Sequence, residues 1–378
     1  VRRSRDRILT THVGALPVPP QLAEGATTDD DLRAAVRQVV REQRAAGIDF
    51  VNEGELTKGG NFVTYINERL SGFEAGDARV LTSVLTSSRD WTEFADFYGK
   101  VVKNNTLFEQ TGSAPSQTTA RRMELVCRGP IGYIGMAALQ REIDALRDAL
   151  DGQPPADAFL TTTAPASIEV GRKNEHYETQ EAFVYALADA LKVEYEAIAA
   201  AGFQIQIDDA WLAALWDRIG ITMGLDAYKR YCMMRVEALN YALANIPEEQ
   251  VRYHLCWGSW HGPHLYDIPM ADIVEVMLAV KAQTYLFEAA NARHEHEYVI
   301  WERLPLPEGK ILAPGVVTHS TPLIEHPQLV SQRIQRFTKA VGRENVIAST
   351  DCGLGLRCHP QIAWAKLKAL AEGAALAS

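Results

Sequence analysis

Eight short runs rich in β-branched and aromatic residues alternate with amphipathic helical stretches along 378 residues. This alternation predicts an α/β fold, a single (β/α)8 barrel of the TIM type. Two further observations support it. The runs are spaced to leave room for a helix in most connections, and several close on His, Cys, Asp or Glu, as expected where chemistry collects at the C-terminal ends of barrel strands.

The eight runs are ILTTHVGAL from Ile8, DFVNEGE from Asp49, FLTTTAPA from Phe159, FQIQIDDA from Phe203, YHLCW from Tyr253, TYLFEAA from Thr284, KILAPGVV from Lys310 and NVIASTDCG from Asn345. Between them, Thr28 followed by Asp29, Asp30 and Asp31 caps a helix that runs to Ala46, and Gly47 stops it. Further helices are expected from about Glu178 to Ala201, Leu225 to Ala244 and Ala271 to Gln283. Residues 56–155 are too many for one crossover and carry irregular Gly, Ser and Pro, so they predict a hairpin-plus-helix insertion after the second strand rather than a second domain.

Composition narrows the function classes. A chain with 47% hydrophobic and 23% charged residues is ordinary for a globular protein. No run approaches the roughly 18 apolar residues of a membrane span. The net charge of −10 without a basic stripe argues against nucleic acid as a partner and favours small molecules. The basic start VRRSRDRILTT lacks the apolar stretch of a secretory signal, so a cytoplasmic location is expected. The chain is compatible with a homo-oligomer. Cys127, Cys232, Cys256, Cys352 and Cys358 are too few and too irregular for a disulfide framework and read as thiols.

Two of those thiols gather into a constellation. His254 and Cys256 lie two apart at the end of a strand, so both side chains share one face. Imidazole and thiolate are soft donors that suit zinc, and a tetrahedral ion needs about two more. Cys352, in the tight TDCG segment, and Glu288, closing the sixth run, complete a set of four. Glu288 also reads as a general base or as a partner to His254. Cys358, beside His359, competes with Cys352 as the second thiolate. Glu53 and Glu55, and Asp208 and Asp209, close two other runs; converging carboxylates there grip an ammonium group, whereas single ones are ordinary loop charge. His319 reads as a proton donor near the metal or as a loop histidine. His261 and His264 read as groups behind the ligands, and Arg293 to Glu297 as an ion-paired loop, since it lacks the spacing of two His on one helical turn. Cys127 and Cys232 read as core.

In these segments the chain resembles the cobalamin-independent methionine synthases, specifically their C-terminal catalytic barrel. TTHVGALP is similar to that family's TT-x-IGSFP, IQIDDA to IQIDEPA, HLCW to H-x-C, FEAAN to IEN, APGVVTHSTPLIEHP to GPGVYDIHSPRIP, and STDCGLGLRC to NPDCGLKTR. The resemblance implies zinc held by His254, Cys256, Glu288 and Cys352, with a substrate thiol joining as thiolate, attacking an alkyl donor and displacing the carboxylate ligand. It implies that Glu55 and Asp208 hold the homocysteine ammonium and that His319 serves protonation of the leaving group. The family's serine after IG is Ala15 here, which leaves Gly14 and Ala15 to offer only backbone N–H groups to the amino-acid carboxylate. The family's N-terminal barrel, which helps hold folate, is not expected to accompany these 378 residues, so the methyl donor stays open. The epoxyalkane:coenzyme M transferases use a similar zinc site to open an epoxide, and a sulfonate thiol would call on cations such as Lys58, Arg121, Arg122 or Arg172. A non-metal barrel related to the uroporphyrinogen decarboxylases, or a zinc protein without turnover, is the remaining reading.

Overall fold

The structure is a computed structural model and describes residues 1–23, 28–58, 65–76, 87–104, 125–355 and 357–378. Ten strands occur among them in chain order: β1 (Leu9–Thr10), β2 (Phe73–Ala75), β3 (Leu125–Cys127), β4 (Phe159–Thr163), β5 (Arg172–Asn174), β6 (Gln204–Asp209), β7 (Val251–Leu255), β8 (Thr284–Phe287), β9 (Ile311–Val317) and β10 (Ile347–Thr350). Seven form one curled sheet in the order β1-β10-β9-β8-β7-β6-β4, with every pairing parallel. Helices cover its outer face, so β4 and β6 to β10 are buried along their whole length.

The expected second strand does not form. Its segment makes one parallel bridge, Val51 to Ala158. Asp49 and Phe50 donate to the Thr10 carbonyl, each at 3.1 Å, and Val51 accepts from Phe159 at 3.0 Å, so the segment touches both edges of the sheet. It cannot continue as a strand. Gly54 at φ 78° and Glu55 at φ 56° turn the backbone left-handed. Side chains also take the backbone groups a ladder would use: Asn52 N–H donates to Gln43 Oε1 at 2.9 Å, and Gly54 N–H to Asn52 Oδ1 at 2.9 Å.

The helices follow the sequence signals closely. Thr28 and Asp31 form a reciprocal capping box at the start of the helix Asp29–Ala45, and Gly47 follows it at φ 90°. The helices Gln180–Ala200, Leu225–Ala242 and Met270–Leu278 lie where amphipathic stretches were expected, the last two ending short. Within 56–155, β2 and β3 pair antiparallel, and the same stretch holds the helices Arg89–Glu93, Ala95–Lys103 and Met136–Ala149. Strand β5, which follows β4, joins the same small sheet parallel to β3, so that sheet reaches beyond the segment read as an insertion. No helix among the described residues is long and apolar enough to cross a membrane.

Candidate metal centre

Parallel register builds the centre. His254 in β7 lies beside Asp208 of β6 and Leu286 of β8. Cys256 falls two residues later on the same face. The loop carrying Cys352 is tied to the end of β8 by the neighbouring Asp351, whose buried carboxylate accepts from Ala289 N–H at 2.7 Å and Ala290 N–H at 2.8 Å. The same loop closes on the first strand's end, because Gly355 N–H donates to the Ala15 carbonyl at 2.8 Å. Gly353 has to be glycine there: a Cβ would stand 2.8 Å from the Ala15 Cβ.

His254, Cys256 and Cys352 offer ligand atoms that all lie within 4.8 Å of one another. The two sulfurs are 4.0 Å apart. His254 Nδ1 meets Asp208 Oδ1 at 2.8 Å, whereas its buried Nε2 has no partner. A proton on Nδ1, held by the carboxylate, leaves the Nε2 lone pair for an ion. This orphaned donor beside two thiols fits zinc. Glu288 lies at the edge of the group: Cys256 Sγ is 3.8 Å from its Oε1, which also accepts from Trp257 N–H at 3.1 Å, while Oε2 accepts from Asn291 at 2.7 Å. It falls outside the set of three.

Protonation follows the crowding. The hydrogen bond from the Cys256 thiol holds Cys352 down at about 5, with burial working against it. Cys256 is pushed well up by the same contact. Burial would lower His254, but the Asp208 carboxylate wins and raises it to about 9, so an ion here binds in exchange for protons. Burial raises Glu288 to about 7.

Glu55 is buried, and burial together with the adjacent Asp208 charge raises it to about 8. It packs against Gly14, where any Cβ would collide with Glu55 Oε1. Asp208 thus serves two neighbours, Glu55 and His254. Its sequence partner Asp209 faces away, accepting from Ser167 Oγ at 2.9 Å and Tyr253 Oη at 3.1 Å. Glu53 pairs instead with Lys58 at 3.4 Å, both buried, and Lys58 also reaches Thr161. Lys58 is therefore no cation at the mouth. Arg172 is engaged by Asn67 and the Ile168 carbonyl. Arg121 and Arg122 lie outside the described residues.

His319 is buried, and that burial, with Arg357 and other cations nearby, pushes it down to about 3, a neutral imidazole whose Nδ1 has no partner. Cys358 points to the His319 carbonyl at 3.8 Å, apart from the metal set, while Cys127 and Cys232 are core. The segment Arg293 to Glu297 is ion-paired through His294 with Glu297 and Glu295 with Arg333. His264 joins it through Asp267, at 3.0 Å, and does not reach the metal set. Sequence reasoning missed the clamp on this loop from the helices Arg89–Glu93 and Ala95–Lys103. Asp90 accepts from the Leu265 N–H at 3.0 Å and from Tyr98 Oη at 2.7 Å, and Trp260 Nε1 donates to Tyr98 at 3.1 Å. The Asp90 to Leu265 and Tyr98 to Trp260 partners lie more than 150 residues apart, and no local pattern marks them.

Residues 159–375 match the family model described as "Cobalamin-independent synthase, Catalytic domain". The chain belongs to the cobalamin-independent methionine synthase family. Among relatives of this family, a methionine synthase of Saccharolobus solfataricus is 24% identical over 378 aligned residues, covering 96% of this chain and 93% of that one. A methionine synthase of Sulfolobus acidocaldarius is 24% identical and covers 92% and 86%. The structure of a B12-independent methionine synthase from Shewanella sp. W3-18-1 in complex with selenomethionine superposes with a TM-score of 0.68 at 19% identity, covering 98% of this chain and 97% of that one. The fold is shared over the whole length.

Proposed function

We propose that this chain is a zinc-dependent S-methyltransferase that methylates an amino-acid thiol, homocysteine. The observation that carries the reading is the buried, unpartnered Nε2 of His254 facing the thiols of Cys256 and Cys352, with the carboxylates of Glu55 and Asp208 alongside. The family and the relatives' names support the reaction. We read the seven strands and the Val51 segment as one closed eight-fold barrel, a single catalytic domain elaborated over 56–155, and this would set all these residues on one rim.

His254, Cys256 and Cys352 would hold the ion, with Glu288 the fourth, replaceable ligand. When bound, zinc supplies a Lewis acid that keeps a substrate thiol deprotonated near pH 7, where a free thiol of pKa about 8.5 is only a few per cent thiolate. Asp208 holds the His254 Nδ1 proton and fixes the ring. Glu55 and Asp208 together favour an ammonium group, which relieves the repulsion between them. His319, neutral and buried within electrostatic reach of His254, presents an imidazole that would take or pass a proton. Ala15 meets the Cys352 loop through its carbonyl, Gly14 lies against Glu55, and both would offer backbone groups to the substrate.

Metal content and zinc-edge X-ray absorption, with and without homocysteine or coenzyme M, test this. Zinc at one per chain that gains a sulfur ligand with homocysteine supports it. A sulfur gained only with coenzyme M would shift the assignment to epoxide opening, and a zinc-free active protein would end the proposal.

A further inference from the structure

We infer that Arg357 is a specificity-determining residue that receives the carboxylate of the thiol substrate. The inference rests on the reading of this centre as a thiol site. Arg357 lies five residues beyond Cys352 on the same loop, and its Nη2 donates to Ser259 Oγ at 3.2 Å. Ser259 lies three residues beyond Cys256, and its hydroxyl also bonds the Cys352 thiol. The chain spends backbone strain on this placement: Ser259 sits at φ 45°, a region costly for a non-glycine residue, directly after Gly258 at φ 108°, whose N–H meets Cys256 Sγ at 3.3 Å. The strained turn holds hydroxyl, guanidinium and both thiols in one group.

Exposure shows from which side this group is reached. His254, Cys256, Glu288, Glu55 and Asp208 are buried, whereas Cys352 and Arg357 are half-buried. A molecule approaching the thiols therefore meets Arg357. The nearby cations Lys58 and Arg252 are committed elsewhere: Lys58 pairs with Glu53, and Arg252 reaches Thr11 and the His12 carbonyl inside the sheet. Arg357, bonded to Ser259 beside the thiols, acts electrostatically on Cys352, Cys256 and Glu55. The centre thus carries a carboxylate pair for a cation, two thiols, and a guanidinium for an anion. That set matches a zwitterionic amino acid with a thiol arm. A planar guanidinium suits a carboxylate, which it can bind through two parallel hydrogen bonds.

The test uses the zinc-loaded 378-residue chain and two thiols: homocysteine, and aminopropanethiol, which is homocysteine without its carboxylate. Binding is read by calorimetry and by the sulfur contribution at the zinc edge, with zinc content as a control. In the Arg357→Gln variant, homocysteine binding should weaken about tenfold or more, the scale of one charge-assisted pair, while aminopropanethiol binding holds. Arg357→Lys should recover part of the loss. Equal weakening of both thiols, or loss of zinc, would overturn the inference, because it would assign Arg357 to supporting the thiolates or the fold. If neither thiol binds the unmodified chain, the thiol-site reading itself has failed, a result distinct from either.

Discussion

The first 158 residues and the remainder serve one site by different means. From Phe159 onward, six strands of four to seven residues form a continuous parallel ladder, and it or the turns that close it carry His254, Cys256, Glu288 and Cys352. Before that point, among the described residues, the same sheet receives only the two residues of β1 and the single bridge at Val51. This part delivers its groups from turns: Gly14 and Ala15 after β1, and Glu55 in a left-handed conformation. The family match covers 159–375, the ladder half. Metal donors have to be held to within fractions of an ångström, which strands do well, whereas substrate selection is commonly left to loops on a rigid scaffold. The difference therefore teaches that residues on the ladder and in the turns closing it should control metal, whereas Glu55, in a turn of the first part, should bear on which thiol binds.

The largest expected effect falls on the ladder half. Cys256→Ser and Cys352→Ser each remove a soft donor from the set of three, and zinc content and activity should vanish together, measured by elemental analysis and turnover on the same sample. Full activity in a zinc-free Cys352→Ser protein would break the division outright. Asp208→Ala comes next. It leaves the His254 Nδ1 without its acceptor and should lower zinc affinity about 10–100-fold in a chelator competition.

The legibility of the two halves differed for the same reason. Runs such as FLTTT and KILAPGVV are buried on both faces and form strands close to where they were expected. DFVNEGE was as β-like to the eye, yet only Val51 pairs, because Gly54, Glu55 and the Asn52 side chain take the backbone elsewhere. The His254, Cys256 and Cys352 cluster was visible in spacing and strand-end position. The Asp208 to His254 contact was not, since it depends on the register of two strands 46 residues apart. Spacing alone did not separate Asp208 from Asp209, or Glu55 from Glu53; the family resemblance singled out Asp208 and Glu55, and in the structure alternation and a left-handed turn send each pair to different neighbours.

A turn residue should leave the metal alone. Glu55→Gln is expected to retain zinc and to weaken an amino-bearing thiol about tenfold, with a thiol lacking the amine unaffected. The pH response sharpens this. Glu55 in the free chain holds its proton up to about pH 8, so pairing with an ammonium group requires that proton to leave. Affinity for the amino-bearing thiol, relative to the amine-free one, should rise as pH approaches 8 and then level. In Glu55→Gln the ratio should be flat.

The smallest effect probes the clamp from the first half onto the second. Tyr98 is buried, donates to Asp90 Oδ2 at 2.7 Å and accepts from Trp260 Nε1 at 3.1 Å, on the loop that follows Cys256. Tyr98→Phe strands both partners and should cost about 1–3 kcal/mol, seen as a Tm lower by several degrees. Zinc content should not change, because the donors are set by β7, β8 and the Asp351 hydrogen bonds rather than by this clamp. If zinc is lost with the hydroxyl, the loop beyond Cys256 needs the first half to hold its shape. The ladder would then not be sufficient to build the metal centre.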